Sequence, residues 1–155
     1  MAEAMTRETA LREAEAVCLR RGATLTPLRR QVLELVLDAS SPVGAYALLD
    51  RLKVSRPGAA PPTVYRALDF LLEQGLIHKL ERLNAYIGCI DAGHGHAHEH
   101  HHPHQFLICR RCGATAEIAD HGIAHAIEAA ARREGFALAE AVVEIEGTCA
   151  RCMAG

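Results

Sequence analysis

The chain has 155 residues, of which 50% are hydrophobic, and a formal net charge of −2 with neutral histidines. This length allows one moderate core or two small ones, and the charge balance means that affinity for a polyanion must come from local clusters of the 17 Lys and Arg residues. Residues 1–17 lack the apolar core of a signal peptide and no run is long enough to span a bilayer, so we expect a soluble, cytoplasmic protein with no membrane partner.

Apolar residues recur at helical spacing four times in the first half of the chain. The predicted helices cover residues 6–21, 26–39, 45–53 and 63–75. Thr26 followed by Pro27 is typical of a helix start, and Gly75 is typical of a helix end. The segment 56–62, RPGAAPP, is rich in proline and is predicted to form a turn rather than a helix.

A β-hairpin is predicted after the fourth helix, with strands at residues 76–82 and 85–90. A two-residue turn at positions 83–84 would place His78 directly opposite Cys89, at a distance suitable for two ligands of one zinc ion. A register shifted by one residue would instead put the two side chains on opposite faces. The pairing of His78 with Cys89 is therefore a prediction that a structure can test.

The order of these elements outlines a winged helix-turn-helix, in which the N-terminal residues of the last helix contact base edges in the major groove of DNA. Thr63, Tyr65 and Arg66 lie near the start of the fourth helix, and Tyr65 and Arg66 are left on its outward face. These three residues are candidate DNA contacts. A generic helical bundle with a solvated polar face is the alternative interpretation.

The second half of the chain predicts a small α/β domain. Strands at residues 105–108 and 114–118 flank a Cys-x-x-Cys turn, and Asp120 begins a helix that ends near Gly135. Residues 136–147 alternate in polarity and are predicted to form a further strand.

Two Cys-x-x-Cys pairs occur 36 residues apart, each at the end of a predicted strand. They comprise Cys109, Cys112, Cys149 and Cys152. Four thiolates in two such pairs favour a closed, tetrahedral structural zinc site with no open position for a substrate. A redox dithiol is the main rival, but it usually needs an exposed pair that begins a helix in a thioredoxin-like unit, which neither pair has.

A second group of possible metal ligands combines a cysteine, two histidines and a carboxylate. It comprises His78, Cys89, Glu117 and one of His102 or His104. This mixed set suits zinc better than magnesium or calcium, although a satisfied hairpin histidine, a small buried cysteine and a surface glutamate would explain the same residues. The remaining histidines of the segment 94–104, and the pair His121 and His125 at helical spacing, are weaker candidates for a third site.

The sequence resembles the ferric uptake regulator family, and most closely its zinc-sensing branch. The resemblance rests on four strings that occur in this order: PTVYRALDFLLEQGLIHKL, NAYIGC, HPHQFLICRRCGA and CARC. It matches the structural zinc ligands of the family to Cys109, Cys112, Cys149 and Cys152. It matches the regulatory zinc ligands to His78, Cys89, His102 and Glu117, and the DNA contacts to Tyr46 and Arg66. The histidine-rich loop is longer than the common pattern, so His104 is a substitute for His102.

The resemblance implies a mixed α+β fold with three parts. These are a winged-helix DNA-binding domain at residues 1–90, a histidine-rich hinge loop at 91–104, and an α/β dimerisation domain with structural zinc at 105–155. It implies a homodimer that binds palindromic operator DNA when zinc-loaded and represses zinc-uptake genes, with two zinc ions per subunit. Such a protein is no enzyme and has no small-molecule substrate. An iron, nickel or peroxide sensor of the same family, and a zinc storage or delivery protein, are the alternatives.

Overall fold

The computed structural model describes residues 6–89, 104–139 and 141–155. The chain divides into two compact units, Met1–Gly95 and His96–Gly155. Within the described residues, the first unit is built mainly from helices and the second combines three strands with two helices, which confirms the mixed α+β class. None of the described helices combines the length and the apolar character that crossing a bilayer requires.

The first unit begins with four helices and ends, within the described residues, with a hairpin. The helices are α1 Arg7–Arg20, α2 Pro27–Asp38, α3 Ala45–Ser55 and α4 Pro61–Glu73, and the strands are β1 Ile77–Leu80 and β2 Ala85–Gly88. The backbone N–H of Thr9 donates to Thr6 Oγ1 at 3.3 Å, and that of Arg29 donates to Thr26 Oγ1 at 3.4 Å. These side chains satisfy amide groups that a helix start leaves unpaired, so α1 and α2 begin where the sequence predicts.

The start of α4 corrects the prediction that residues 56–62 form a turn. Pro61 and Pro62 occupy the first turn of the helix. Proline is tolerated there because the first residues of a helix have no intrahelical acceptor for an N–H group, and the fixed φ of proline suits the helix. The backbone N–H of Ala60 donates to Thr63 Oγ1 at 3.3 Å, so Thr63 helps to close this start.

The core of the first unit lies between the apolar faces of its helices. Val32, Leu48, Leu52 and Leu68 are completely excluded from solvent. At the edge of this core the guanidinium carbon of Arg29 lies 3.7 Å from the centre of the Phe70 ring, a cation–π contact that joins α2 to α4. Packing of α4 on its apolar side leaves the opposite side of the helix exposed.

The hairpin register differs from the prediction. His78 pairs with Ile87 rather than with Cys89, because the turn contains four residues, 81–84, instead of two. Asn84 adopts a positive φ of 46°, which asparagine tolerates better than most residues and which completes this longer turn. Cys89 lies two positions beyond Ile87, and side chains alternate with a period of two, so His78 and Cys89 remain on one face.

The second unit forms a three-stranded sheet with order β4-β3-β5. Its elements are β3 His104–Cys109, β4 Thr115–Ile118, α5 His121–Arg133, β5 Val142–Gly147 and α6 Ala150–Ala154. The strand β3 is antiparallel to β4 and parallel to β5. The backbone N–H of Ile123 donates to Asp120 Oδ1 at 3.0 Å, which confirms Asp120 as the residue that begins α5.

Two details of the second unit differ from the sequence prediction. The last strand begins at Val142 rather than at residue 136, because β5 pairs with β3 and this pairing begins with His104 opposite Val142. The short helix α6 follows Cys149 and was missed. It has five residues, which is too few for an apolar period to be recognised.

Candidate metal centres and nucleic-acid interface

The four cysteines meet at one edge of the sheet in the second unit. Cys109 is the last residue of β3, and it pairs with Gly147 at the end of the parallel strand β5. Parallel strands end at the same edge, so Cys112, three residues after β3, and Cys149, two residues after β5, both lie there, and α6 carries Cys152. All four sulfur atoms lie within 4.8 Å of one another.

Hydrogen bonds within this cluster favour the ionised form of two of the sulfur atoms and the protonated form of a third. The backbone N–H of Cys149 donates to Cys109 Sγ at 3.3 Å, and this bond, followed by that from Cys112, lowers the pKa of Cys109 to about 6. The backbone N–H of Cys152 likewise lowers the pKa of Cys149. Hydrogen bonds with the sulfur atoms of Cys149 and Cys112 raise the pKa of Cys152 to about 12, because its proton is shared among its neighbours.

The cysteine cluster fits a zinc ion by its donor set and its spacing. Four soft sulfur donors converge on one point, which is the arrangement of closed tetrahedral zinc sites. Cys112 Sγ and Cys149 Sγ lie 3.7 Å apart, so the two Cys-x-x-Cys pairs approach each other directly. A cation of charge +2 would supply the positive charge that four adjacent thiolates need.

The first unit brings His78 and Cys89 together. Both side chains are buried, and a ring nitrogen of His78 lies within 4.8 Å of Cys89 Sγ. The backbone N–H of Cys89 donates to the carbonyl of Leu76 at 3.0 Å, which extends the hairpin beyond β2 and fixes the position of the thiol. The distance between the two ligand atoms agrees with the predicted proximity, although the predicted register was wrong.

Close packing next to Cys89 limits the movement of this half-site. A Cβ atom placed on Gly88 would lie 2.7 Å from Cδ2 of Leu37 on α2. Real carbon atoms do not approach so closely, so a larger residue would force Leu37 or the strand to move. Glycine at position 88 therefore allows β2 to lie against α2 and holds Cys89 near the helices.

The second unit brings His104 and Glu117 together. His104 precedes Phe106 by two residues, and Phe106 pairs with Glu117, so both side chains lie on one face of the sheet. His104 Nδ1 lies 3.5 Å from Glu117 Oε1, and the Glu117 side chain is only 4% exposed. A buried carboxylate beside an imidazole is a good pair of ligands for a divalent metal ion. His102 lies outside the described residues.

The candidate DNA contacts lie on α3 and α4 of the first unit. Tyr46, Tyr65 and Arg66 are exposed, and Tyr46 is 66% accessible. Thr63 is half-buried and its hydroxyl accepts the hydrogen bond from Ala60. Tyr65 and Arg66 lie in the first half of α4, where a recognition helix contacts bases.

The candidates for a third metal site receive little support. His121 and His125 are both exposed on α5, and His125 Nδ1 lies 3.9 Å from Glu128 Oε2. In the part of the chain that the structure describes, neither histidine belongs to a group of three or more converging ligands. The other histidines of the loop, at positions 94–101, lie outside the described residues.

One residue near the Cys89 thiol was missed by the sequence analysis. Glu13 lies on α1, one position before the buried Ala14, and it lines the same small cavity as Cys89. Its spacing of three residues from Ala10 and four from Val17 places it on the buried side of the helix. This spacing is visible in the sequence and distinguishes Glu13 from the exposed acidic residues of α1.

A helical unit of this kind occurs in one chain with a small sheet unit that carries a cysteine cluster. This combination is typical of a metal-binding transcription regulator. The sequence pattern described as the ferric uptake regulator family matches residues 20–146. The chain belongs to the ferric uptake regulator family.

Within this family, the chain is similar to several zinc uptake regulators. The zinc uptake regulation protein of Escherichia coli (strain K12) is 42% identical over 151 residues, which cover 97% of this chain and 85% of the relative. That of Mycobacterium tuberculosis is 33% identical over 109 residues, or 70% of this chain and 78% of the relative. A solved structure of a zinc uptake regulator complexed with zinc and DNA is 41% identical and gives a TM-score of 0.86 over 97% of both chains.

Proposed function

We propose that this protein is a zinc-responsive transcriptional repressor that acts in the cytoplasm. It binds palindromic operator DNA as a zinc-loaded homodimer and represses genes for zinc uptake. The observation that carries this proposal is the similarity, along nearly the whole of both chains, to a regulator whose structure contains zinc and DNA. The convergence of the four cysteine sulfur atoms and the exposure of Tyr65 and Arg66 on α4 support the proposal.

The proposal assigns two zinc ions to each subunit. The structural ion is held by the cluster of Cys109, Cys112, Cys149 and Cys152, whose sulfur atoms converge. The regulatory ion takes ligands from two pairs, His78 with Cys89 and Glu117 with His104 or His102. Each of the pairs His78–Cys89 and His104–Glu117 is held at close distance within its own unit. The Cys89 sulfur favours zinc over the harder divalent metals.

The residues proposed to bind the regulatory ion are positioned by the strands of their own units. The histidine and cysteine at the end of the hairpin are held on one face by the strand period, and Glu117 is held by its position in β4. The exposed Tyr65 and Arg66 on α4 supply contacts to base edges and phosphates. In a dimer the two copies of α4 must match half-sites about 34–36 Å apart per turn of DNA, so binding depends on their separation.

The second unit offers a surface for the second copy of the chain. Leu107 and Ile145 are partners in adjacent strands, and they are 42% and 41% exposed. Among the described residues, β5 has a strand neighbour on one side only. An edge strand with apolar side chains beside it is a suitable element for pairing with another copy.

The proposed function is tested by titrating the protein against a labelled promoter fragment of a zinc-uptake operon. We expect tight binding at buffered free zinc and weak binding after the regulatory metal is removed, with the salt concentration held constant because phosphate contacts depend on it. Iron at equal free concentration should not replace zinc. Equal affinity with and without zinc would refute the proposal. Failure to bind the fragment under every condition would instead favour zinc storage or delivery.

Substituting alanine for Arg66 is expected to weaken binding to the specific operator by about 1–3 kcal/mol, the usual effect of losing a base contact. The exposed Arg132 on α5, which lies 3.9 Å from Glu128, provides the matched control, because Arg132→Ala removes the same charge from a different unit. Fluorescence anisotropy with operator and random DNA would measure both variants. If Arg66→Ala weakened binding to the two DNA sequences equally, Arg66 would be a phosphate contact rather than a base contact.

A further inference from the structure

A small cavity lies inside the first unit, where α1, α2 and the hairpin meet. Its volume is about 10 Å³, and it is lined by Glu13, Cys89 and the alanine and leucine side chains around them. A space of this size holds about one water molecule at most. Glu13 and Cys89 therefore line one space that has room for about one water molecule.

The carboxylate of Glu13 is unusual in its surroundings. Its Oε2 atom is excluded from solvent and has no hydrogen-bond partner among the described residues. A buried carboxylate oxygen among apolar groups costs free energy unless a donor or a cation satisfies it. Apart from Glu13 itself, the only polar side chain that lines the cavity is the Cys89 thiol. The Glu13 side chain thus shares this cavity with one proposed ligand of the regulatory zinc.

A charge at this position distinguishes metal ions by their own charge. Cysteine and histidine also suit copper(I), so the pair of His78 and Cys89 does not by itself exclude that ion. The Coulomb energy between a carboxylate and a nearby cation is proportional to the charge of the cation. At an effective dielectric constant of about 20, this Coulomb energy suffices over several ångströms to change the affinity for a divalent ion by about tenfold or more.

We propose that Glu13 is a specificity-determining residue of the regulatory site, which favours a divalent ion over copper(I). This inference rests on the proposed function, since it requires that Cys89 bind the regulatory metal. Glu13 acts through its charge and need not coordinate the ion. Glutamine has nearly the same shape and removes only the charge, so Glu13→Gln separates the electrostatic role from a structural one.

The test measures zinc and copper(I) affinities of the full-length dimer with its structural zinc in place. Competition with chromophoric chelators, under anaerobic conditions for copper(I), would be applied to the wild type, to Glu13→Gln and to Glu8→Gln. Glu8 is an exposed control on the same helix. We expect Glu13→Gln to weaken zinc binding about tenfold. Copper(I) binding should weaken only about threefold, because the Coulomb free energy lost with a monovalent ion is half of that lost with a divalent ion. Glu8→Gln should change neither affinity.

The outcomes separate the possible roles of Glu13. Equal losses for zinc and copper(I) would mean that Glu13 only maintains the structure around Cys89, and this would overturn the inference. Unchanged affinities for both ions would also overturn it. If the wild-type protein bound only one zinc ion per subunit, the regulatory site itself would be refuted, and the failure would belong to the proposed function rather than to Glu13.

Discussion

Replacing Cys112 by serine is expected to release the structural zinc ion and to unfold the second unit. The buried core of this unit is small: Phe106 and Ile108 are its largest buried apolar side chains among the described residues, and Ala124 is the only buried residue of α5. So small a core does not hold a domain without an additional constraint. Zinc bound by four protein ligands supplies about 10–16 kcal/mol in other small domains. The binding free energy lost with one thiolate should therefore exceed the free energy of unfolding of the unit, which is on the order of 5 kcal/mol.

The substitution is checked by zinc content, circular dichroism and light scattering of the purified protein. We expect Cys112→Ser to lose one zinc ion per subunit and to become monomeric or aggregated. Cys18→Ala provides a control, because it removes a thiol that lies on α1 of the first unit, outside the cysteine cluster. That variant should retain both zinc ions and lose about 1 kcal/mol of stability. A Cys112→Ser protein that kept its metal and its dimer would rule out the structural site.

The parts of the fold that the sequence predicted correctly depend on local chemistry. The starts of α1, α2 and α5 follow from Thr6, Thr26 and Asp120, whose side chains accept hydrogen bonds from the first turn of each helix. Each of these interactions joins residues three positions apart, so a short stretch of sequence contains all the information. The prediction that Pro61 lies in a turn also used local chemistry alone. It was wrong because proline can either end a helix or begin one.

The errors concern contacts between distant residues. Nothing in the local sequence determines that β3 lies between β4 and β5, because the partner strands are separated from each other by a helix. The hairpin register depended on the length of the turn at 81–84, and the predicted length was wrong by two residues. A register error of two residues leaves each side chain on the same face of the hairpin, whereas an error of one residue would move it to the other face. The proximity of His78 and Cys89 was therefore correct despite the wrong register.

The candidate sites were predictable to different degrees. The cysteine cluster could be predicted because two Cys-x-x-Cys pairs have few other uses. The choice between His102 and His104 could not be made, because residues two apart in a strand lie on the same side. His104 Nδ1 lies 3.5 Å from Glu117 Oε1 in the second unit, and His102 lies outside the described residues, so the identity of this ligand stays a prediction. Glu13 was overlooked because charged residues on helices are usually solvated, although its spacing from Ala10 and Val17 places it on the buried side of α1.

Replacing Cys89 by serine is expected to abolish the response to zinc while leaving the fold and the dimer intact. Serine is similar to cysteine in size, so the packing around position 89 changes little, but its hydroxyl remains protonated and is a poor zinc ligand. We expect Cys89→Ser to bind operator DNA at high zinc as weakly as the metal-free wild type. Loss of the dimer in this variant would refute the separation between the structural and the regulatory zinc ions.

The measurement compares operator affinity with zinc content. Cys89→Ser should contain one zinc ion per subunit, the structural one, and should have the same thermal stability as the wild type stripped of its regulatory zinc. His125→Ala provides the control, because His125 is an exposed histidine outside the groups of converging ligands in the described part of the chain. That variant should keep the full zinc response.

The size of the effect follows from the coupling between zinc and DNA. If zinc raises operator affinity about 100-fold, the coupling free energy is about 2.7 kcal/mol, which is within the usual range for allosteric proteins. Coupling is reciprocal, so operator DNA must strengthen binding of the regulatory zinc by the same factor. In the wild type, adding operator DNA should therefore lower the zinc dissociation constant about 100-fold. In Cys89→Ser this change should vanish, because the ion that carries the coupling no longer binds. A zinc affinity that is independent of DNA in the wild type would mean that zinc and operator act separately.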